Sequence, residues 1–301
     1  MNIFVTGANG FLGKSICEEF SEKHNILKPD HKELELLDEE AVKKYISKND
    51  IDIIIHCANR GGNLDTVGLP NTIEYNLRIF FNLVKNSDGI KKMINFGSGA
   101  EYSKHRQLHK VKEEEFGSVI PKDDYGFYKY TINKIIENSD NMINLRLFGI
   151  FGKYENYEYK FVSNAIVKNL FGLDMHIKQN LIIDYLYITD FLKIIEHFLK
   201  NKNKFKTYNV TPTKSIELVK ICEIINEMSD NKNNVKFLNS GLNYEYTGEN
   251  SRLMKEMGSF NFLSYEDAIK GLFNYYKDNL HLVDKTKLVD KYLYKYAVKK
   301  S

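Results

Sequence analysis

The chain has 301 residues, 43% hydrophobic and 28% charged, which is an ordinary globular balance with length enough to bury a substantial core. Lys and Arg total 43 against 40 acidic residues, and a net charge of +3 gives no global case for nucleic acid as a partner. No apolar run approaches the roughly 18 residues of a spanning helix, no secretion signal precedes Thr6-Gly7, and Cys17, Cys57 and Cys222 lack metal-ligand spacing. The expectation is a cytoplasmic protein with reduced thiols, no metal and no membrane contact.

Through the first half, short β-branched runs alternate with helical stretches, the signature of βαβ units on a parallel sheet. Strands are predicted at Asn2–Thr6, Asn25–Lys28, Ile51–His56, Lys92–Gly97 and Ile143–Leu147. Helices are predicted between them, at Gly10–Lys23, Asp38–Lys48, Pro70–Asn86 and Asp123–Ser139, with Pro70 suited to a first helical turn. Ile51–His56 is almost wholly apolar, as a strand covered on both faces should be. Later segments read as helices at Tyr159–Leu170, Thr189–Lys200 and Ile216–Met228, a short strand at Tyr208–Val210, and an amphipathic region at Asp267–Tyr276. The Lys/Tyr-rich tail Lys285–Lys300 reads as a solvated surface helix.

These elements imply an α/β fold: a Rossmann-type doubly wound parallel sheet with a smaller α/β substrate-binding cap. The dinucleotide-binding part covers residues 1–150, with a strand and a helix returning near 181–212, and residues 151–301 form mainly the cap and C-terminal helices. Ligands of such sheets bind outside the carboxyl ends of the strands, so the site is expected between the two parts.

Thr6-Gly7-Ala8-Asn9-Gly10-Phe11-Leu12-Gly13 follows the first strand and opens a helix. Gly7 makes the turn, Gly10 admits a pyrophosphate against the backbone, and Gly13 lets the helix pack on the sheet. The helix amino terminus adds free N–H groups for the phosphates. The predicted dinucleotide contacts are Gly7, Asn9, Gly10, Phe11, Leu12 and Gly13. Asp30 stands where an acidic residue grips the ribose hydroxyl of NAD, whereas Lys28, His31 and Lys32 around it suit the 2′-phosphate of NADP. The balance leans to NADP, with NAD left open.

Tyr125 and Lys129 are spaced to share a helix face, where an ammonium would lower the phenol's pKa and make it a usable acid or base. Tyr130/Lys134 and Tyr296/Lys300 share that spacing among 20 tyrosines. Tyr125 is singled out by Ile94-Asn95-Phe96-Gly97-Ser98-Gly99, a buried strand that brings the Ser98 hydroxyl to the sheet's carboxyl edge.

Together with His56-Cys57-Ala58, Leu145-Arg146-Leu147-Phe148-Gly149 and Asp184–Asp190, these motifs resemble the extended short-chain dehydrogenase/reductases of the NAD-dependent epimerase/dehydratase group, in order and to about residue 275. The resemblance implies a nucleotide-sugar substrate, Tyr125 as acid/base, Lys129 on the cofactor ribose, and Ser98 polarising the substrate carbonyl. It adds Cys57 and Ala58 to the cofactor site and Gly62, Gly99, Ala100, Asn164, Lys168 and Arg252 to the substrate site. It also implies a homodimer built on the helices Pro70–Asn86 and Asp123–Ser139. Glu33–Asp38 and Gly61-Gly62 are similar to the GDP-L-fucose synthase branch. That branch places a cysteine where Ala100 stands and a histidine in the helix around Phe161, and both serve epimerisation. Their replacement implies reduction without epimerisation: an NAD(P)H-dependent reductase of a nucleotide-linked 4-keto-6-deoxy sugar in surface-glycan synthesis. Alternatives are a 4-epimerase or dehydratase with tightly held NAD, and a non-catalytic dinucleotide-binding protein. Glu101 is a candidate second acid/base, Arg146 a further candidate for a substrate diphosphate, and His56 reads as a packed histidine.

Overall fold

The computed structural model describes residues 1–62, 66 and 68–288. The first half runs β1 (Asn2–Thr6), α1 (Phe11–Phe20), β2 (Asn25–Leu27), α2 (Glu39–Lys48), β3 (Ile53–His56), α3 (Thr72–Lys85), β4 (Lys92–Ser98), β5 (Leu108–Val111), α4 (Asp124–Glu137) and β6 (Met142–Leu147). There follow β7 (Gly149–Phe151), α5 (Phe161–Leu170), β8 (Met175–Ile177), β9 (Ile182–Ile183), β10 (Tyr185–Tyr187), α6 (Ile188–Lys200) and β11 (Thr207–Val210). The last described elements are β12 (Ile216–Glu217), α7 (Leu218–Met228), β13 (Val235–Phe237), β14 (Tyr246–Gly248), α8 (Ser251–Met257) and α9 (Tyr265–Asp278). Among the described residues no helix is long and apolar enough to cross a membrane.

Six strands form a Rossmann-type parallel sheet in the order β2-β1-β3-β4-β6-β11. Its strands are apolar on both faces because helices cover both. Ile3, Val5, Ile53, Ile55, Ile94 and Phe96 pack with α1 and α6. Phe4, Ile54 and Met93 point the other way, into residues of α2, α3 and α4. Burying each such side chain stabilises by about 2 kcal/mol. A separate apolar cluster joins α5, α7 and α9 over β8 and β12. The chain winds outward in opposite directions from β1 and β3, which makes their carboxyl ends the switch point of the sheet, where ligands of such folds bind.

The structure departs from the sequence expectations in four places. Helix α3 begins at Thr72, not Pro70, because Asn71 takes the left-handed conformation (φ 59) and the Thr72 hydroxyl donates to Leu69 O at 2.8 Å, closing a turn ahead of the helix. Ile216 and Glu217 pair antiparallel with β9 before α7 starts. β5, β7–β10, β13 and β14, each of two to four residues, were not expected at all; their partners lie far off in sequence. Of the tail expected to be helical, residues 289–301 lie outside the described residues, and Lys285–Lys287 form a 3-10 turn.

One buried ion pair fixes the carboxyl end of β4. Glu101 accepts from Ser98 N (2.9 Å) and Asn144 Nδ2 (3.1 Å) through Oε1, and from Arg146 Nε (2.6 Å) through Oε2. Both charged side chains are 0% exposed. Removing one partner would leave the other charge buried and uncompensated, so Glu101→Ala should cost about 3–5 kcal/mol. Urea denaturation of wild type and variant measures this; a loss below about 1 kcal/mol would show that the pair is dispensable.

Candidate active site

The glycine loop is shaped by close approach. Gly7 has φ +65, and a Cβ there would lie 2.7 Å from Ala58 N, so the strand-end loops of β1 and β3 touch through backbone. A Cβ on Gly13 would lie 2.3 Å from Gly7 O, which no side chain fits. Gly10 caps α1 in extended conformation, with no side-chain cap and no acidic residue in the first turn. The helix therefore presents unblocked N–H groups and its positive end, a donor set that fits a pyrophosphate. Beside it, Thr6 Oγ1 accepts from Ala58 N (3.1 Å) and hydrogen-bonds with His56 Nδ1 (2.9 Å). Burial pushes His56 down to about 3, so it is a packed neutral imidazole.

Asp123 caps α4 by accepting from Gly126 N (3.1 Å), which places Tyr125 in the first turn and Lys129 one turn on. Tyr125 and Ser98 both line one cleft. Ser98 Oγ accepts from Ala100 N (3.2 Å), and the hydroxyl of a second tyrosine, Tyr246 of β14, lies beside Gly99. Lys129 Nζ donates to Phe96 O (2.6 Å), and burial lowers its pKa to about 8. The expected lowering of Tyr125 by Lys129 is not what the structure shows: burial pushes the phenol up, the neighbouring Ser98 hydroxyl opposes, and Glu101 and Asp123 add to the rise.

A cleft of about 620 Å³ joins the glycine loop to Ser98, Tyr125 and Lys129. Its lining includes Gly7, Gly10, Phe11, Leu12, Gly13, Cys57, Gly62, Ser98, Ala100, Tyr125 and Lys129 from the predicted set. A sequence profile of the NAD dependent epimerase/dehydratase family matches residues 3–211, more than half of the chain. The chain belongs to this family. GDP-L-colitose synthase of Yersinia pseudotuberculosis is 30% identical over 110 residues, covering 35% of each chain. A GDP-L-fucose synthetase of Naegleria fowleri, solved bound to NADP, superposes with a TM-score of 0.82 at 18% identity, over 94% of this chain and 95% of that one. The UDP-glucose 4-epimerase of Thermotoga maritima, solved with UDP-glucose, gives 0.80 at 19%, over 93% and 100%.

Within this epimerase/dehydratase fold, several predicted residues stand elsewhere. Asn9, Lys28 and Asp30 are exposed and outside the cleft lining. One Asp30 oxygen is taken up by the N–H groups of Lys32 (2.7 Å) and Glu33 (3.0 Å). Ala58 and Gly99 stand just behind the lining, Gly99 against Phe148 and the Tyr246 hydroxyl. Asn164 donates to the carbonyls of Tyr157 (2.9 Å) and Glu158 (3.1 Å), bracing the entry to α5. Lys168 is 2% exposed, with Nζ 3.5 Å from His176 Nδ1. Arg252 is drawn off by Glu114 (2.5 Å) and stacks on Phe205. Arg146 and Glu101 neutralise each other inside the protein, which removes Glu101 as a second acid/base.

Other groups in the lining had no sequence signal: Tyr246, Lys104, Lys160 at the head of α5, and Glu155. Tyr246 sits in a three-residue strand whose only pointer is its register with Leu108 and Ile183. Glu155 is buried, accepts from Ser163 Oγ (2.7 Å), and is raised by desolvation to about 7. Its folded pKa exceeds its unfolded value, so its stabilisation is full below about pH 4.5 and is lost as pH rises through 7. Between pH 5 and 8, wild type should lose on the order of 2–3 kcal/mol relative to Glu155→Gln in urea unfolding. Parallel pH profiles for the two proteins would contradict the assigned burial.

Proposed function

We propose that the chain is an NAD(P)H-dependent reductase of a nucleotide-linked 4-keto-6-deoxy sugar in surface-glycan synthesis, with Tyr125 as proton donor and NADP preferred. The observation that carries this reading is the Ser98–Tyr125 pair on the cleft, with the phenol kept protonated by burial. Ketone reduction consumes one proton and needs one carbonyl polariser, and this pair supplies both. Ala100 and Phe161, which line the cleft, offer no acid or base for inverting neighbouring carbons.

Gly7, Gly10, Gly13 and the amino terminus of α1 would hold the cofactor pyrophosphate, and Lys129 its ribose. Lys28, with His31 and Lys32, favours a 2′-phosphate, since Asp30 is partly committed to its own turn. The reduced nicotinamide, when bound, supplies the hydride. Lys104 and Lys160, which line the cleft, would meet the substrate diphosphate in place of Arg252 and Lys168, which do not. Residues 151–301 would form the substrate cap, and α3 with α4 the interface of a cytoplasmic homodimer. A second reading, dehydratase or epimerase with retained NAD, is favoured by Glu155, a cleft carboxyl held near neutrality.

The test is turnover with NADPH or NADH and a panel of nucleotide-linked 4-keto-6-deoxy sugars. Reduced sugar should form mole for mole with oxidised cofactor, and Tyr125→Phe should lower kcat by about 10²–10⁴ with cofactor binding intact. Sugar conversion without net cofactor loss, abolished in Glu155→Gln, would establish the second reading instead.

A further inference from the structure

The loop leaving β3 puts an exposed polar side chain, Asn59, on the wall of the cleft. On one side of it in sequence, Ala58 N would lie 2.7 Å from a Cβ on Gly7; on the other, a Cβ on Gly62 would lie 2.3 Å from the Tyr125 ring. The loop therefore runs from the glycine turn to Tyr125, and Asn59 stands along that path. Its neighbour Arg60 is pinned through the backbone. The buried side chain of Asn76 on α3 accepts from Arg60 N (2.9 Å) and donates to Arg60 O (2.7 Å).

The orientation of the Asn59 amide follows by elimination. Gly61 O can only accept, so the atom 2.9 Å from it is Nδ2, which donates. Oδ1 then faces the Tyr128 hydroxyl, and in that pair the phenol is the donor. An amide nitrogen carries two protons, and among the described residues the second meets no acceptor. That N–H is left for a ligand of the cleft. Tyr128 is a firm anchor for this arrangement. It is buried, its ring meets Tyr125 edge-to-face (centroids 5.5 Å apart, 88°), and the Lys129 ammonium lies 5.5 Å from its centroid.

We propose that Asn59 is a cofactor-binding residue, its second amide N–H donating to an oxygen of the nicotinamide-side ribose phosphate, and that Tyr128 is the positioning residue that holds the amide in this orientation. The place of Asn59 between the glycine loop and Tyr125 selects that half of the dinucleotide. Without the phenol the amide is free to turn, and its oxygen then faces the phosphate as often as its N–H does. The proposal rests on the reading that seats a dinucleotide in this cleft, and not on which sugar is reduced.

The test is titration calorimetry on the full chain with two probes: NADP, and adenosine 2′,5′-bisphosphate, which lacks the nicotinamide-side phosphate and ribose. NAD and AMP serve as the pair if NAD binds more tightly. Asn59→Ala, at an exposed position, and Tyr128→Phe, which keeps the ring, should each weaken the dinucleotide roughly fivefold to tenfold, the worth of about one hydrogen bond. The double variant should bind no more weakly than Asn59→Ala, because the phenol acts only through the amide. The mononucleotide should bind wild type and all variants alike, an outcome that general loosening of the fold would not give. Unchanged dinucleotide affinity in Asn59→Ala, or equal losses for both probes, would overturn the cofactor contact. Additive losses in the double variant would overturn the role of Tyr128. If wild type binds no dinucleotide, the reading that seats one in the cleft falls instead.

Discussion

The Glu101 carboxylate is the constraint on which the geometry of the candidate site depends. It is shut inside the protein and answered by Arg146 from the neighbouring strand β6, by Asn144 from the same strand, and by the backbone of Ser98. Glu101 also closes the 3-10 turn Gly99–Tyr102 by a reciprocal cap with Ser98. Because the carboxylate takes the Ser98 N–H while Ala100 N donates to the Ser98 oxygen, the serine is fixed at the cleft that Tyr125 and Tyr246 also line. The charge that looked like a possible acid or base is thus spent on rigidity.

The cleft divides its labour by electrostatics. At one end the amino terminus of α1, with no capping side chain, leaves positive potential for phosphates. At the other end, desolvation raises the phenols of Tyr125 and Tyr246 and pushes the Glu155 carboxyl up to about 7. Lys129 lies between, its Nζ fixed on Phe96 O and its charge weakened by burial. Such a site suits a reaction in which an oxygen gains electrons and must be met by protons.

Much of this was legible in the sequence where it depended on local rules. β1 through α2, β4 and β6 fall within a few residues of their predicted bounds, because β-branched runs, Asp38 as a cap and spaced glycines each act over short range. The glycine loop and Ser98, Tyr125 and Lys129 likewise converge on one cleft. The substrate side was not legible. Asn164, Lys168 and Arg252 looked available as residue types, but each is engaged by a neighbour distant in sequence or by its own helix entry. Tyr246 and Glu155 gave no signal, since short strands and buried carboxyls acquire their meaning only from what tertiary packing sets beside them.

The central claim is that hydride passes once, and for good, from cofactor to sugar. The most direct measurement uses reduced cofactor carrying deuterium at the transferable position, with the sugar product analysed by mass spectrometry and NMR. The account predicts deuterium at the former carbonyl carbon in every product molecule, matched by an equal amount of oxidised cofactor. Product formed without deuterium, with the label still on the cofactor, would contradict it.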